Sequence, residues 1–244
     1  MSIDQHGDHV LQGMSIRKLP KVSLHDHLDG GVRPATILEL ADQIGLDVPE
    51  DTADDLADWI AERSDSGSLV EYLKTFDLTV GVMQTREGLT RVAREFVEDL
   101  AADGVIYGEV RWAPEQHLSG GLSLEEAVEA VQDGIEEGED AAEQAGHDIR
   151  VGQLITAMRH TDRSLEIARL AVQWRERGAV GFDIAGPEDG FPPDDHLLAF
   201  QYCQRENFHV TIHAGEAYGP RSIWKAVQYC GAERLGHGIR IVED

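Results

Sequence analysis

The sequence predicts an α/β fold of the (β/α)8 TIM-barrel type, incomplete, with about six of the eight βα units present. Three observations carry this reading. Short apolar runs alternate with longer segments of helical period, no glycine-rich phosphate loop stands at any strand-to-helix junction, and polar residues gather where the apolar runs end. A barrel places its chemistry at the carboxyl ends of its strands, so His25, His27, Glu109, Arg111, Asp183, His213 and His237 are expected to converge on one mouth. An open doubly wound sheet is the lesser reading, because such residues follow nearly every run and do not gather at one switch point.

The expected strands are Val22–His25, Gly104–Arg111, Arg150–Thr156, Val180–Ile184, His209–His213 and Arg234–His237. Between them the helical period covers Pro34–Ile44, Leu89–Ala102, Ser123–Gln144, Ser164–Arg177, Asp194–Asn207 and Arg221–Cys230. Pro34 suits a first helical position, Ser123 with Glu126 forms a capping box, and Gly178 closes the helix ending at Arg177. Residues 1–19 lack apolar periodicity and are expected to be a mobile tail, with the barrel domain running over 20–244. Residues 45–88 interrupt the rhythm with two helical stretches, Thr52–Arg63 and Ser68–Val82, an insertion after the first strand that could form a lid. Ile239–Asp244 reads as the start of another helix. Six strands cannot close an eight-stranded barrel, so the expectation is that this chain is part of a longer one.

Composition narrows the function classes. Hydrophobic residues make up 41% of 244, enough for a substantial core. Acidic residues outnumber basic ones 46 to 21, a formal charge of -25 that argues against nucleic acid and anionic membrane as partners. A small neutral or cationic ligand fits better. No run of about 18 apolar residues occurs, and Met1–Leu19 lacks the basic-then-apolar order of a signal peptide, so a soluble, cytoplasmic protein is expected. Cys203 and Cys230 form no CxxC and read as buried small hydrophobes.

Three segments carry chemistry. In Ser23-Leu24-His25-Asp26-His27-Leu28-Asp29-Gly30-Gly31, residues two apart on a strand share a face, so His25 and His27 can hold one cation. Two hydrogen-bonded strand-end histidines are the alternative. In Thr211-Ile212-His213-Ala214-Gly215-Glu216, a strand delivers His213 to its end, and a small-residue turn presents Glu216 as an acid whose pKa confinement could raise. Glu216 could equally be a favourable charge opening the next helix. In Leu235-Gly236-His237-Gly238, the flanking glycines leave His237 open to ligand or water, as a metal ligand, as a group orienting water, or as a loop residue without a role.

Together with Met158-Arg159-His160 and Phe182-Asp183-Ile184-Ala185-Gly186-Pro187-Glu188, these segments, in this order, resemble the adenosine deaminase family of the metal-dependent amidohydrolase barrels, from about Pro20 to Asp244. The resemblance implies one zinc per chain held by His25, His27 and His213. It implies hydrolytic deamination of adenosine, and of 2'-deoxyadenosine, to inosine and ammonia in purine salvage. Glu216 would protonate a purine ring nitrogen and His237 would steer the attacking water. Gly186 would offer its N–H to another ring nitrogen, Asp29 would accept from the ribose, and His27 would also touch substrate. Tyr72 and Phe76, in the segment Gly67–Phe76, would line the inner face of a lid over the ribose, with helix core as their alternative. Asp183 would be a strand-end structural partner. The family completes its metal site with an aspartate of a Ser-Asp-Asp segment, which is expected beyond Asp244. The deaminases of single-stranded nucleic acid are excluded, since no HxE followed by PCxxC occurs. Two readings stand beside adenosine: a deaminase of a related purine such as adenine or a modified nucleoside, and a non-catalytic remnant that binds purine nucleosides.

Overall fold

The computed structural model describes the backbone of residues 2–3, 9–11, 14–65 and 69–244, and the side chains of these except 2–3, 17 and 69–74. The chain divides into two compact units, one of Met1–Gly108, Gly120–Leu122 and Glu129–Val151, the other of Glu109–Ser119, Ser123–Val128 and Gly152–Asp244.

In the first unit, β1 (Ser2–Ile3), β2 (His9–Leu11) and β3 (Met14–Ser15) pair antiparallel in that order. The sequence reading of residues 1–19 as a mobile tail includes no strands. Strands of two or three residues are too short to display an alternation, so backbone pairing left no periodic trace. Next, β4 (Lys21–His27) lies beside β5 (Val105–Trp112), whose first four residues belong to this unit. After β4 the chain makes a 3-10 turn at Leu28–Gly30 and enters α1 (Pro34–Ile44), with Pro34 in the first turn and Gly45 left-handed at the end. The 45–88 insertion folds as α2 (Ala53–Ser64) and α3 (Leu69–Val82), which pack on each other and on α1. Thr52 caps α2 by accepting from the Asp55 N–H at 3.2 Å. α4 (Arg86–Ala102) starts three residues earlier than its apolar period, because Thr85 accepts from the Gly88 N–H at 3.1 Å and extends the helix into polar sequence. Leu89, Val92, Ala93, Phe96 and Val97 then make its buried stripe.

The second unit holds the remaining strands. The last half of β5 neighbours β6 (Arg150–Met158), which pairs in parallel with β7 (Ala179–Ala185) from Gln153↔Ala179 to Met158↔Ala185. A parallel bridge, Phe182↔Val210, links β7 to the segment entering β8 (Thr211–Ala214), and β8 pairs in parallel with β9 (Arg234–His237). Leu154, Ile155, Phe182, Ile184, Phe200 and Ile212 are its buried apolar centre. The helices are α5 (Leu124–Gln144), shared with the first unit and opened by the expected capping box, then α6 (Ser164–Gln173), α7 (Leu197–Arg205) and α8 (Pro220–Gln228). Two expected helices are shorter than their periods. The one over Ser164–Arg177 breaks at Trp174 into a 3-10 turn, Arg175–Arg177, which is what Gly178 closes; the one over Asp194–Asn207 begins with a 3-10 turn at Pro193–His196. Ile239–Glu243 is also 3-10. A period of about three to four residues does not separate these tighter turns from α-helix.

Candidate active site

In the first unit, alternation along β4 sets His25 and His27 on one face, with ring centroids 5.5 Å apart and planes tilted by 47°. The following 3-10 turn buries Asp29, whose Oδ1 lies 3.9 Å from His27 Nδ1 and has no hydrogen-bond partner among the described residues. Burial pushes the Asp29 carboxyl up to about 6, against a smaller opposing effect of a backbone hydrogen bond. A buried acceptor oxygen without a donor suits a ligand hydroxyl. Phe76 is half-buried on α3, and the side chain of Tyr72 lies outside the described residues.

In the second unit, neighbouring strand ends build a buried chain of charges. Arg111 on β5 donates from Nη1 to Asp183 Oδ2 on β7 at 3.0 Å, and both side chains are essentially inaccessible. Asp183 in turn meets His213 of β8, its Oδ1 and Oδ2 lying 3.2 and 3.0 Å from Nδ1. A carboxylate in that place holds the proton on Nδ1 and leaves Nε2 as the lone-pair nitrogen, the arrangement that orients a metal-ligating imidazole. His237 ends β9 at φ 70°, its ring 5.2 Å from that of His213 and its Nε2 3.4 Å from Glu216 Oε2. Burial holds the His237 pKa below the ordinary imidazole value; Glu216 and Glu188 oppose this, while His213 and Arg111 add to it. His237 is therefore a neutral imidazole near pH 7. Glu216 itself is 42% exposed at its side chain. Gly186 stands at φ +98°, a backbone angle that calls for glycine.

Glu188 and Arg159 lie within segments that the sequence singled out, yet no role was read for either. Glu188, 4% exposed, accepts four consecutive backbone N–H groups, from Gly215 at 2.6 Å on Oε1 and from Glu216, Ala217 and Tyr218 at 3.0, 2.7 and 2.8 Å on Oε2. Burial would raise its pKa, but the neighbouring Ser222 hydroxyl and the amides of Tyr218, Gly215 and Ala217 more than offset this and hold it below the ordinary value. Arg159, 2% exposed, donates from Nη2 to the His213 carbonyl at 3.0 Å. Its own carbonyl faces His196 Nε2 at 3.0 Å, and His196 Nδ1 meets Ser164 Oγ at 2.9 Å. The sequence signals for Glu188 were its place in the Phe182–Glu188 segment and its position two residues past a glycine at a strand exit.

A parallel strand–helix repeat with histidines and carboxylates at its strand ends is the arrangement of an amidohydrolase-type site, and imidazole nitrogens, one of them on a ring oriented by a buried carboxylate, are donors that fit zinc. The adenosine deaminase family model matches residues 20–244, and the chain belongs to that family. It is 64% identical over 230 residues to adenosine deaminase 1 of Streptomyces coelicolor, which covers 94% of this chain and 58% of that protein. The chain therefore spans less than two thirds of that relative's length. Among solved structures, the Arabidopsis N6-mAMP deaminase shares 32% identity at a TM-score of 0.78, covering 91% of this chain and 66% of that one. An amidohydrolase from Burkholderia ambifaria with bound Zn shares 26% at a TM-score of 0.78, covering 94% and 61%. The fold class is thus the α/β-barrel type expected from the sequence.

Proposed function

We propose that this protein catalyses hydrolytic deamination of adenosine, and of 2'-deoxyadenosine, to inosine and ammonia, with one zinc per chain held by His25, His27 and His213. The observation that carries this reading is the strand-end group in which Asp183 orients His213 while Glu216 and neutral His237 stand 3.4 Å apart. Bound zinc supplies the activation of water near neutral pH. The remaining roles fall to the chain. Glu216 gives a proton to a purine ring nitrogen, which makes the carbon bearing the amino group electrophilic. Neutral His237 accepts a hydrogen bond from the attacking water and aims it. The water oxygen bonds that carbon as its bond to the amino nitrogen breaks; of the two water protons one leaves with the nitrogen as ammonia and the other returns to Glu216, whose own proton stays on the ring nitrogen of inosine. The Gly186 N–H donates to a second ring nitrogen, Asp29 accepts from a ribose hydroxyl through its unpartnered oxygen, and His27 also faces the substrate. In this reading α2 and α3 form a lid, with Tyr72 and Phe76 toward the sugar.

Asp29 favours a nucleoside over a free base. A related purine is the second reading, supported by neighbours that include an adenine deaminase from Arthrobacter aurescens and the N6-mAMP deaminase. Among the described residues no helix is long and apolar enough to cross a membrane. With a charge of -25, a small-molecule partner in the cytoplasm is proposed, without nucleic acid or membrane.

The test is an assay of zinc-loaded protein on adenosine, 2'-deoxyadenosine, adenine and N6-methyl-AMP, following ammonia release. Adenosine should be turned over fastest. Glu216→Gln should retain metal and inosine binding and lose roughly a hundredfold to ten-thousandfold in kcat, since the amide has no carboxyl proton to give. Near-normal turnover in that variant would remove Glu216 from the chemistry.

A further inference from the structure

The four amides held by Glu188 belong to consecutive residues, Gly215 to Tyr218, and Glu216 is one of them. A carboxylate has about four lone-pair sites, and here one turn brings four donors to it, one on Oε1 and three on Oε2. The turn is tied on its other sides as well. Arg159 holds the His213 carbonyl, Arg240 donates from Nη1 to the Ala217 carbonyl at 2.6 Å, and the Arg240 N–H reaches the Gly215 carbonyl at 3.1 Å. Gly215 sits at φ +73°, and a Cβ on it would lie 2.5 Å from Ile223 Cδ1, which leaves the peptide little room to shift.

Among the described residues the Glu216 side chain has no comparable support: it is 42% exposed and its Oε2 lies 3.4 Å from His237 Nε2. An exposed side chain whose place is not fixed by packing inherits its direction from its backbone. Charge-assisted bonds to a buried carboxylate are about twice as strong as neutral ones, so the backbone at 215–218 is held well beyond the needs of a surface turn.

We propose that Glu188 is a positioning residue for the reaction: by gathering the amides of residues 215–218 it aims the Glu216 carboxyl at the reacting ring nitrogen and at His237. The inference rests on the reading of Glu216 as proton donor. It also accounts for a carboxylate placed at the exit of β7 whose partners all lie after β8.

The experiment compares wild type, Glu188→Gln, Glu216→Gln and the double variant. In Glu188→Gln the amide loses the charge and presents an NH2 to one side of the donors. It should lower kcat on adenosine on the order of tenfold to a hundredfold, as expected for an active group displaced by about 1 Å. KM for adenosine should stay within about threefold and zinc content should not change. Because Glu188 acts through Glu216, the double variant should turn over no more slowly than Glu216→Gln alone. A purely structural Glu188 would lower Tm while leaving kcat per folded molecule intact, or would multiply with Glu216→Gln; either result overturns the proposal. Should Glu188→Gln not fold, Glu188→Asp, which keeps the charge and withdraws it by one methylene, is read by the same criteria. If wild type fails to deaminate adenosine, the proposed function fails by itself, and the positioning role is decided by crystal structures of wild type and variant. Displacement of the Glu216 carboxyl away from His237 by about 1 Å or more supports it, and an unmoved carboxyl overturns it.

Discussion

His213 illustrates how one side chain is prepared by those around it: Arg111 fixes Asp183, Asp183 fixes the imidazole through Nδ1, and Arg159 fixes the carbonyl of the same residue. If His213 is a zinc ligand, His213→Ala should bind less than about a tenth of the wild-type metal at equal free zinc, since a lost ligand should cost at least the tenfold to hundredfold typical of outer partners. Unchanged stoichiometry by elemental analysis would remove it from the ligand set. Asp29 makes a different prediction. Among the described residues its buried oxygen has no donor, and a hydrogen bond to a charged group is worth about 1.5–3 kcal/mol, so Asp29→Ala should raise KM for adenosine by roughly tenfold to a hundredfold. Any turnover of adenine should be spared, and equal losses on both would mean that Asp29 does not read the sugar. At this scale the places of the histidines at strand ends, and of Glu216 just past one, were legible because each stands in a short segment whose pattern is local. Glu188 was not, because a carboxylate that binds backbone amides leaves no mark on the sequence of its partners, which follow it by 27 to 30 positions.

The elements themselves were legible where a side chain or a glycine punctuates the chain. Pro34 and Gly45 bound α1, and Ser123 with Glu126 opens α5 through two reciprocal bonds, Glu126 N–H to Ser123 Oγ at 3.2 Å and Ser123 N–H to Glu126 Oε2 at 2.8 Å. Ser123→Ala removes the acceptor and should destabilise by about 1 kcal/mol. For a chain of this size that corresponds to a fall in Tm of about 2–4 °C. A Tm unchanged by calorimetry would show that the first turn of α5 is held by its packing alone. Element ends were less legible where the helix changes type, as at Trp174 and before Leu197, because hydrophobic period carries no information about the hydrogen-bond step. The strands at residues 2–15 escaped for the opposite reason, being shorter than any period.

At the scale of the whole molecule, charge sets the terms. The structure pairs many basic groups with acids: Arg33 with Asp99, Arg91 with Glu39 and Glu95, Arg94 with Glu98, Arg163 with Glu166, and Lys225 with Asp194. The exposed ones among these contribute about 0–1 kcal/mol each, and salt weakens them. Pairing cannot neutralise the chain, however. With 46 acidic and 21 basic residues, one acid for each base still leaves 46 minus 21, or 25, carboxylates without a basic partner. Their mutual repulsion acts over the screening length, which falls from about 30 Å at 0.01 M salt to about 3 Å at 1 M. Two opposing effects of salt follow, loss of short attractions and loss of many longer repulsions. The second extends to groups that never touch and is therefore the larger. Raising NaCl from about 0.01 M to 1 M at pH 7 should raise Tm, with most of the gain complete once the screening length is below about 10 Å, near 0.1 M. Sucrose at matched osmolality separates screening from solvent exclusion, since it leaves charge interactions unscreened. A Tm that falls with NaCl would mean that the local pairs outweigh the net charge, and the ion-pair cluster around Arg33, Arg91 and Glu95 would then be the place to look for the cause.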